Sequence, residues 1–475
     1  MRLSRKKPIS TGSLPAPAFF SWVGSSAESP GAGAAGNYPC RDSQLPTPVI
    51  GYRRKAHITL LVLSLLLWPL SARATNGYWA HGYGSKSKGM AGAGASMPLD
   101  AMDAAQNPAK MVFLGNRMDF GVAAFMPERS FTANDDGGNG YPVISPGTYD
   151  SKNDIFFIPY FGLNRMLDAT SSVGISIGAN GGMNTEYDAA VFSAFNNTGG
   201  TASSPTGIDF KQLFLGLTYA RKIADNHSFG ITPIAAVQSF KVTGLQPFQP
   251  FSSDPEHVTN NGYDYSYGGG LKIGWLSRIT DTLSFGLSYQ TQLWMSKFDA
   301  YRGLFAEQGN FDIPANFTAG LAWEMTPSLT LAMDVQRIFF EDVNSIANSG
   351  TMVLQPGQIS LGTDDGIGFG WQDMTVGKFG LQWQCLDDLT LRAGYSISNQ
   401  TIPDEQALFN ILAPAVVTEH YTLGLTKTFA DMELNLSLLY APANKVSGSN
   451  PNTGPQTGSL EMSQYEVEVG VGFFF

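Results

Sequence analysis

Between Arg117 and Phe475 apolar and polar residues alternate in run after run, and the connections between the runs sort by length. Leu389, Leu391, Ala393, Tyr395 and Ile397 alternate with Thr390, Arg392, Gly394 and Ser396, and Met432, Leu434, Leu436 and Leu438 alternate with Glu433, Asn435 and Ser437. A period of two puts each set on its own face of a strand. Fourteen such segments are readable, the first near 117–130 and the last near 463–475. The connections after even-numbered segments are short: 164–169, 223–226, 279–281, 325–327, 386–387 and around Ala430. The others are mostly long: 131–152, 185–207, 243–264, 297–312, 341–373, 399–417 and 442–462. A soluble sandwich has no reason to sort its loops in this way, whereas an outer-membrane barrel with an even strand count does. Closure is required as well, because an open edge in hydrocarbon leaves backbone groups unsatisfied. The expected fold class is all-β, a 14-stranded antiparallel transmembrane β-barrel.

The last segment agrees with this. Tyr465, Val467, Val469, Val471 and Phe473 share one parity, and Glu466 and Glu468 take the other. That pattern fits lipid outside and a polar lumen within.

One stretch of the exported chain does not alternate. Residues 75–114 are rich in glycine and other small residues, and they are expected to sit inside the wall as an N-terminal plug, leaving 115–475 for the barrel. Ahead of them, residues 53–74 have a basic start, an apolar run from Ile58 to Leu70 and the ending Ala72-Arg73-Ala74, the layout of a cleaved signal peptide. Residues 1–52, rich in Pro, Ser and Gly, read as a disordered leader or a mis-assigned start. Cleavage after Ala74 removes nine of 29 basic and two of 39 acidic residues, which leaves a net charge of −17 and excludes nucleic acid as a partner. It also removes Cys40, and the remaining Cys385 can build neither a disulfide framework nor a cysteine metal site.

At the level of motifs the chain resembles the FadL/TodX-type outer-membrane transporters of fatty acids and other hydrophobic compounds. The resemblance rests on 82–110 with Asn107-Pro108-Ala109, on GMNTEY at 182–187, IPANFTAGLAW at 313–323 and DVQRI at 334–338. It rests further on LRAGY at 391–395, IPD at 402–404, Ala413-Pro414 and the closing Phe475. Lys110 departs from the glycine usual after Asn-Pro-Ala. The resemblance implies passive transport without a cofactor. Substrate would be caught in a groove between extracellular loops, pass to an inner pocket, and leave sideways at a kinked third strand into outer-membrane lipid. It implies a monomer of the Gram-negative outer membrane, assembled by the machinery that reads Phe475.

Each step has candidate residues. For the outer groove they are Leu245, Phe248, Phe251, Tyr301, Leu304 and Phe305, the last three spaced as one face of a short helix. The same residues would serve equally as packing between loops. The apolar run at 155–161 offers Phe156, Ile158 and Tyr160 to the inner pocket, joined by Phe214. Lys211, Lys272, Lys378 and Arg392 are read as inward cations, of which Lys211 and Arg392 are assigned to the pocket as carboxylate partners. Gly178, Gly181 and Gly182 mark the kink, since glycine inside a strand signals a bulge or bend. Asn76, Gly77, Tyr78 and Trp79 form an aromatic tip to the plug, and Asn107, Pro108 and Ala109 its anchor.

Two other classes compete. A general diffusion porin would have an open, polar lumen. A lipase or esterase would use Ser176 in Gly174-Ile-Ser-Ile-Gly178, but that elbow needs a strand-to-helix turn, and Ser176 instead continues a strand parity. The histidines show no paired metal spacing, so no metal site is expected.

Overall fold

The computed structural model describes residues 76–475 apart from 356 and 408. The leader at 1–52, the signal peptide at 53–74, and Thr75 lie outside the described residues.

Among the described residues fourteen long strands form one antiparallel sheet that closes on itself. In chain order they are β1 (Arg117–Ala133), β2 (Phe156–Met166), β3 (Ser171–Tyr187), β4 (Thr206–Ala224), β5 (His227–Thr243), β6 (Asp264–Arg278) and β7 (Leu283–Gln290). The second half is β8 (Asn316–Thr326), β9 (Leu329–Ile338), β10 (Met374–Leu386), β11 (Leu389–Ser398), β12 (Glu419–Thr428), β13 (Met432–Ser449) and β14 (Thr457–Phe474). Each pairs with the next, and β1 pairs with β14 from Arg117↔Phe474 to Ala133↔Gly458, so no edge is left at the seam. Short strands at Gly147–Asp150 and Trp294–Met295 add to β1 and β6.

Parity decides which solvent each side chain meets. On β14 Tyr465, Val467 and Val469 are exposed while Glu466 and Glu468 are buried, and on β9 Met333 and Val335 are exposed while Asp334 and Gln336 are buried. Apolar residues exposed as a continuous band suit lipid. The last hairpin is longer than its alternation suggested. β13 and β14 run on to Ser449 and back from Thr457, so the loop at 442–462 shrinks to 450–456.

The inside is filled. The segment from Asn76 to Phe113 carries two short helical turns, Ser85–Lys88 and Asp103–Gln106, and a 3₁₀ turn, Pro108–Phe113. It is tied to the wall by charge. Lys86 Nζ lies 2.6 Å from Glu433, and Lys88 Nζ lies 2.8 Å from Glu466 and 2.7 Å from Glu468. Asp334 accepts the amides of Gly94 and Ala95, each at 2.9 Å. Burial alone would lower the Lys88 ammonium, but Glu466 and Glu468 outweigh it and hold the group above its ordinary value.

Asn107-Pro108-Ala109 sits against bare wall. Asn107 caps the 3₁₀ turn by accepting the Ala109 amide, and its Nδ2 donates to the carbonyls of Ala95 at 2.7 Å and Trp275 at 3.2 Å. A Cβ at Gly274 would fall on the Asn107 side-chain oxygen, so only glycine lets the turn come this close. Lys110 is fully buried and reaches the Gly94 carbonyl at 2.8 Å and Asp103 at 2.6 Å.

Candidate functional site

The wall is not paired over its whole height. β3 pairs with β4 up to Tyr187↔Thr206, but with β2 only from Met166↔Ser172 to Tyr160↔Gly178. Beyond Tyr160, residues Phe156 to Pro159 pair with β1 alone. The β3–β4 register shifts between Ala179 and Gly181, so Asn180 is an extra residue in β3, within the stretch holding Gly178, Gly181 and Gly182. An inserted residue bends its strand, and here the bend coincides with the point where β2 and β3 part.

The chain's own N-terminal tip takes part of the freed edge. Trp79 bridges Gly181 antiparallel, the Ala80 amide donates to the Asn180 carbonyl at 2.6 Å, and the Gly182 amide donates to the Tyr78 carbonyl at 3.2 Å. Asn180 is buried, accepts from the Tyr83 hydroxyl at 2.6 Å and donates to Gln212 at 2.9 Å. The tip is packed, not free. Tyr78 lies among Phe210, Phe311, Phe340 and Trp371 with ring centroids 5.5–6.4 Å away, and Gly77 at φ +65° lies against Phe340. A Cβ at Gly181 would fall on the Tyr78 carbonyl oxygen. Gly181→Ala is therefore expected to detach the tip while leaving the barrel closed. Faster hydrogen exchange at the Ala80 and Gly182 amides checks this, and unchanged protection would refute it.

A cavity of about 660 Å³ occupies this region. On one side it is bounded by residues 77–84 of the luminal segment, and on the other by Phe157, Leu213 and Tyr265, which are exposed on the outer face. It therefore extends from the lumen to the lipid-facing surface. Phe156, Ile158 and Tyr160 line it, with Phe125, Met183 and Leu439. Its size is that of a small-molecule site.

The expected cations fall differently. Lys211 is not inward: it shares the outward parity of Leu213 and Leu215, its side chain is 58% exposed, and it pairs with Asp209 at 2.7 Å at the outer mouth of the cavity. From Asp209 to Phe214 each parity mixes polar and apolar residues, so alternation there does not tell in from out. Arg392 is inward but lies away from the cavity, bonded to Gln382 at 2.8 Å and Thr426 at 2.6 Å. Phe214 is also outside the lining and packs against the aromatic core.

Sequence reasoning missed Arg129. It is 6% exposed, lines the cavity, and lies 5.7 Å from the Phe156 ring. It donates to Ser151 Oγ at 3.1 Å and to the Asn153 carbonyl, while its Nε has no hydrogen-bond partner. Among the described residues it makes no ion pair. The other cations of the lining, Lys88 and Lys211, both do. Its parity matches that of buried Arg117 and Asp119 on the same strand, so the inward direction was readable.

The six loop residues assigned to an outer groove line no part of this cavity. Leu245, Phe248, Phe251, Tyr301 and Phe305 are buried and Leu304 is partly so, all within one core cluster. Phe248 meets Phe192 at 5.1 Å, and Phe240 meets Tyr301 at 4.8 Å and Phe305 at 4.7 Å. The packing between loops that their spacing also allowed is what the structure has. Tyr301 ends a 3₁₀ turn, Asp299–Tyr301, and no helix runs on to Phe305. Ser176 lies mid-strand opposite Gly162 and Gly216, without the strand-to-helix turn of a hydrolase elbow.

A closed barrel with a lipid-facing apolar band, a luminal segment salt-bridged inside it and an apolar cavity reaching through the wall defines an outer-membrane transport barrel for hydrophobic compounds. A family model described as outer membrane protein transport protein (OMPP1/FadL/TodX) matches residues 71–471, and the chain belongs to that family. No curated protein matches the chain. Among solved structures, the toluene transporter TodX of Pseudomonas putida is similar at 19% identity and TM-score 0.62, covering 83% of this chain and 99% of that one. A FadL homologue of Pseudomonas aeruginosa aligns at 16% identity and TM-score 0.60, over 84% of this chain and 100% of that one. The toluene transporter TbuX of Ralstonia pickettii aligns at 17% and 0.57, over 83% and 99%. At such identities the likeness is one of fold.

Proposed function

We propose that the protein passes long-chain fatty acids or related hydrophobic molecules down their gradient, releasing them sideways between β2 and β3 into outer-membrane lipid. The observation that supports this reading best is the cavity bounded by residues 77–84 at one end and by outward-facing Phe157 and Leu213 at the other. Residues 76–114 act as the plug. Asn107-Pro108-Ala109 is its fixed anchor, and the tip at 76–79 is the part that substrate displaces. Arg129, in a mostly apolar lining whose other cations, Lys88 and Lys211, are paired with acids, has no acid of its own and receives a carboxylate, because a guanidinium stays charged and binds planar anions in a bidentate way.

The test fills the gap without touching the plug. Ala179 borders the cavity where β2 and β3 part. Ala179→Trp is expected to cut uptake of a labelled long-chain fatty acid by about tenfold, on the scale of a blocked site, while the barrel still folds and inserts. Full uptake by this variant would remove lateral release from the reading, and no uptake by the unaltered protein would remove transport of fatty acids altogether.

A further inference from the structure

Residues 79–83 also border a second, much smaller chamber of about 20 Å³, shared with Lys272, Lys378, Asn316 and Gln336 on the wall. Its lysines are unlike those of the plug. The buried lysines of the plug are each matched to carboxylates: Lys86 to Glu433, Lys88 to Glu466 and Glu468, and Lys110 to Asp103. Lys272 and Lys378 are as deeply buried, at 4% and 5% exposure, and among the described residues neither has a carboxylate within ion-pair distance. Lys272 Nζ donates to the Ala105 carbonyl and lies 5.8 Å from the Tyr83 ring; Lys378 Nζ donates to the His81 carbonyl at 2.9 Å. An ammonium has three donors, so these contacts leave others on each unspent.

Among the described residues the neighbouring groups offer two ammonium ions one carboxylate, and that one is not in contact with either. Asp334 stands opposite Lys378 in the β9–β10 ladder but beyond ion-pair distance; its Oδ2 is taken by the amides of Gly94 and Ala95, and its Oδ1 has no hydrogen-bond partner. The His81 imidazole is held well below its usual value by burial, and by Lys88, His420 and Lys378 in turn, so it is neutral and no anion. Asn316 is 3% exposed, and its Nδ2 has no hydrogen-bond partner. Two buried ammonium groups and an orphaned amide N–H thus border one chamber with a single carboxylate, Asp334, outside contact, and burying like charges together with too little counter-charge is costly.

We propose that this chamber binds one small monovalent anion of the halide class, held by Lys272 Nζ, Lys378 Nζ and Asn316 Nδ2. Space for about one water-sized particle admits chloride or bromide and excludes sulfate, phosphate and the carboxylate of a fatty acid. Because the same lysines hold the Ala105 and His81 carbonyls of the plug, the anion fastens the plug to β6 and β10. This site is independent of what the larger cavity carries.

The test uses the full chain purified with gluconate as the only anion, then exchanged into chloride or bromide at constant ionic strength. The thermal midpoint is expected to rise by about 2–4 °C, saturating with halide, and crystals in bromide are expected to show an anomalous peak between Lys272 and Lys378. Lys378→Met is expected to remove both effects. Equal midpoints in all salts and no bromide peak would overturn the proposal, since a water molecule beside a neutral lysine predicts that result. A shift that survives in Lys378→Met, without a peak, would be surface screening and would overturn it too. Should Lys378→Met fail to fold, the bromide peak in the unaltered protein decides.

Discussion

Replacing Lys88 by methionine is expected to turn a quiet barrel into a leaky one. Lys88 Nζ lies 2.8 Å from Glu466 and 2.7 Å from Glu468, and all three side chains are less than 10% exposed. The two glutamates stand two residues apart on the inner face of β14. Removing the ammonium leaves two buried like charges side by side, at a cost of roughly 3–5 kcal/mol. The barrel wall, held by ladders of backbone hydrogen bonds, cannot relieve that repulsion, but the plug can move and let water in. Planar-bilayer recording should therefore show a rise in ion conductance. Adding Glu466→Gln and Glu468→Gln to Lys88→Met should restore the low conductance, because the charges that repelled are then gone. A triple variant as leaky as the single one would show that Lys88 works by filling space and not by charge.

Arg129→Met is expected to erase the preference for an acid over its methyl ester. The proposed carboxylate contact is charge-assisted and lies in an apolar cavity, where such hydrogen bonds contribute roughly 1.5–3 kcal/mol each. The ratio of affinities for a long-chain acid and its methyl ester should fall roughly 10- to 100-fold, with the ester little affected. Arg129→Lys should keep part of the preference, since an ammonium supplies charge without the bidentate fork. Competition against a fluorescent fatty-acid probe measures the ratio. An unchanged ratio would remove Arg129 from headgroup recognition while leaving the cavity as a site for neutral hydrocarbons.

How far the chain could be read in advance differs from element to element. The wall was readable almost strand by strand, because a period of two is a local property and each strand carries its own. The last loop was misjudged since β13 and β14 continue as a hairpin through 442–449 and 457–462, where mixed residues keep no clean alternation. The loop aromatics, Phe248 and Tyr301 among them, were legible as a cluster that fitted a groove and loop packing equally, because nothing in a single loop states which other loop will cover it. Lys211 failed for a narrower reason: Phe210, Leu213 and Phe214 put apolar residues on both faces, so parity lost its meaning there. Arg129 could have been assigned to the lumen from its strand parity. That it has no acid partner could not, since the acids it lacks are defined by every element around it.

The sequence by itself determined the number of strands, the face each residue of a regular strand presents, and the end of the barrel that carries the long loops. Each of these follows from backbone geometry within one or two neighbouring segments. Tertiary structure alone decided where β2 and β3 part, that residues 78–80 pair with the freed edge of β3, and which buried lysines meet a carboxylate. Those depend on closure, which brings β14 against β1 and sets the glutamates of β13 and β14 against a plug more than 300 residues earlier in the chain. Charges in a closed lumen are matched across the whole ring, and no stretch of sequence contains the ring.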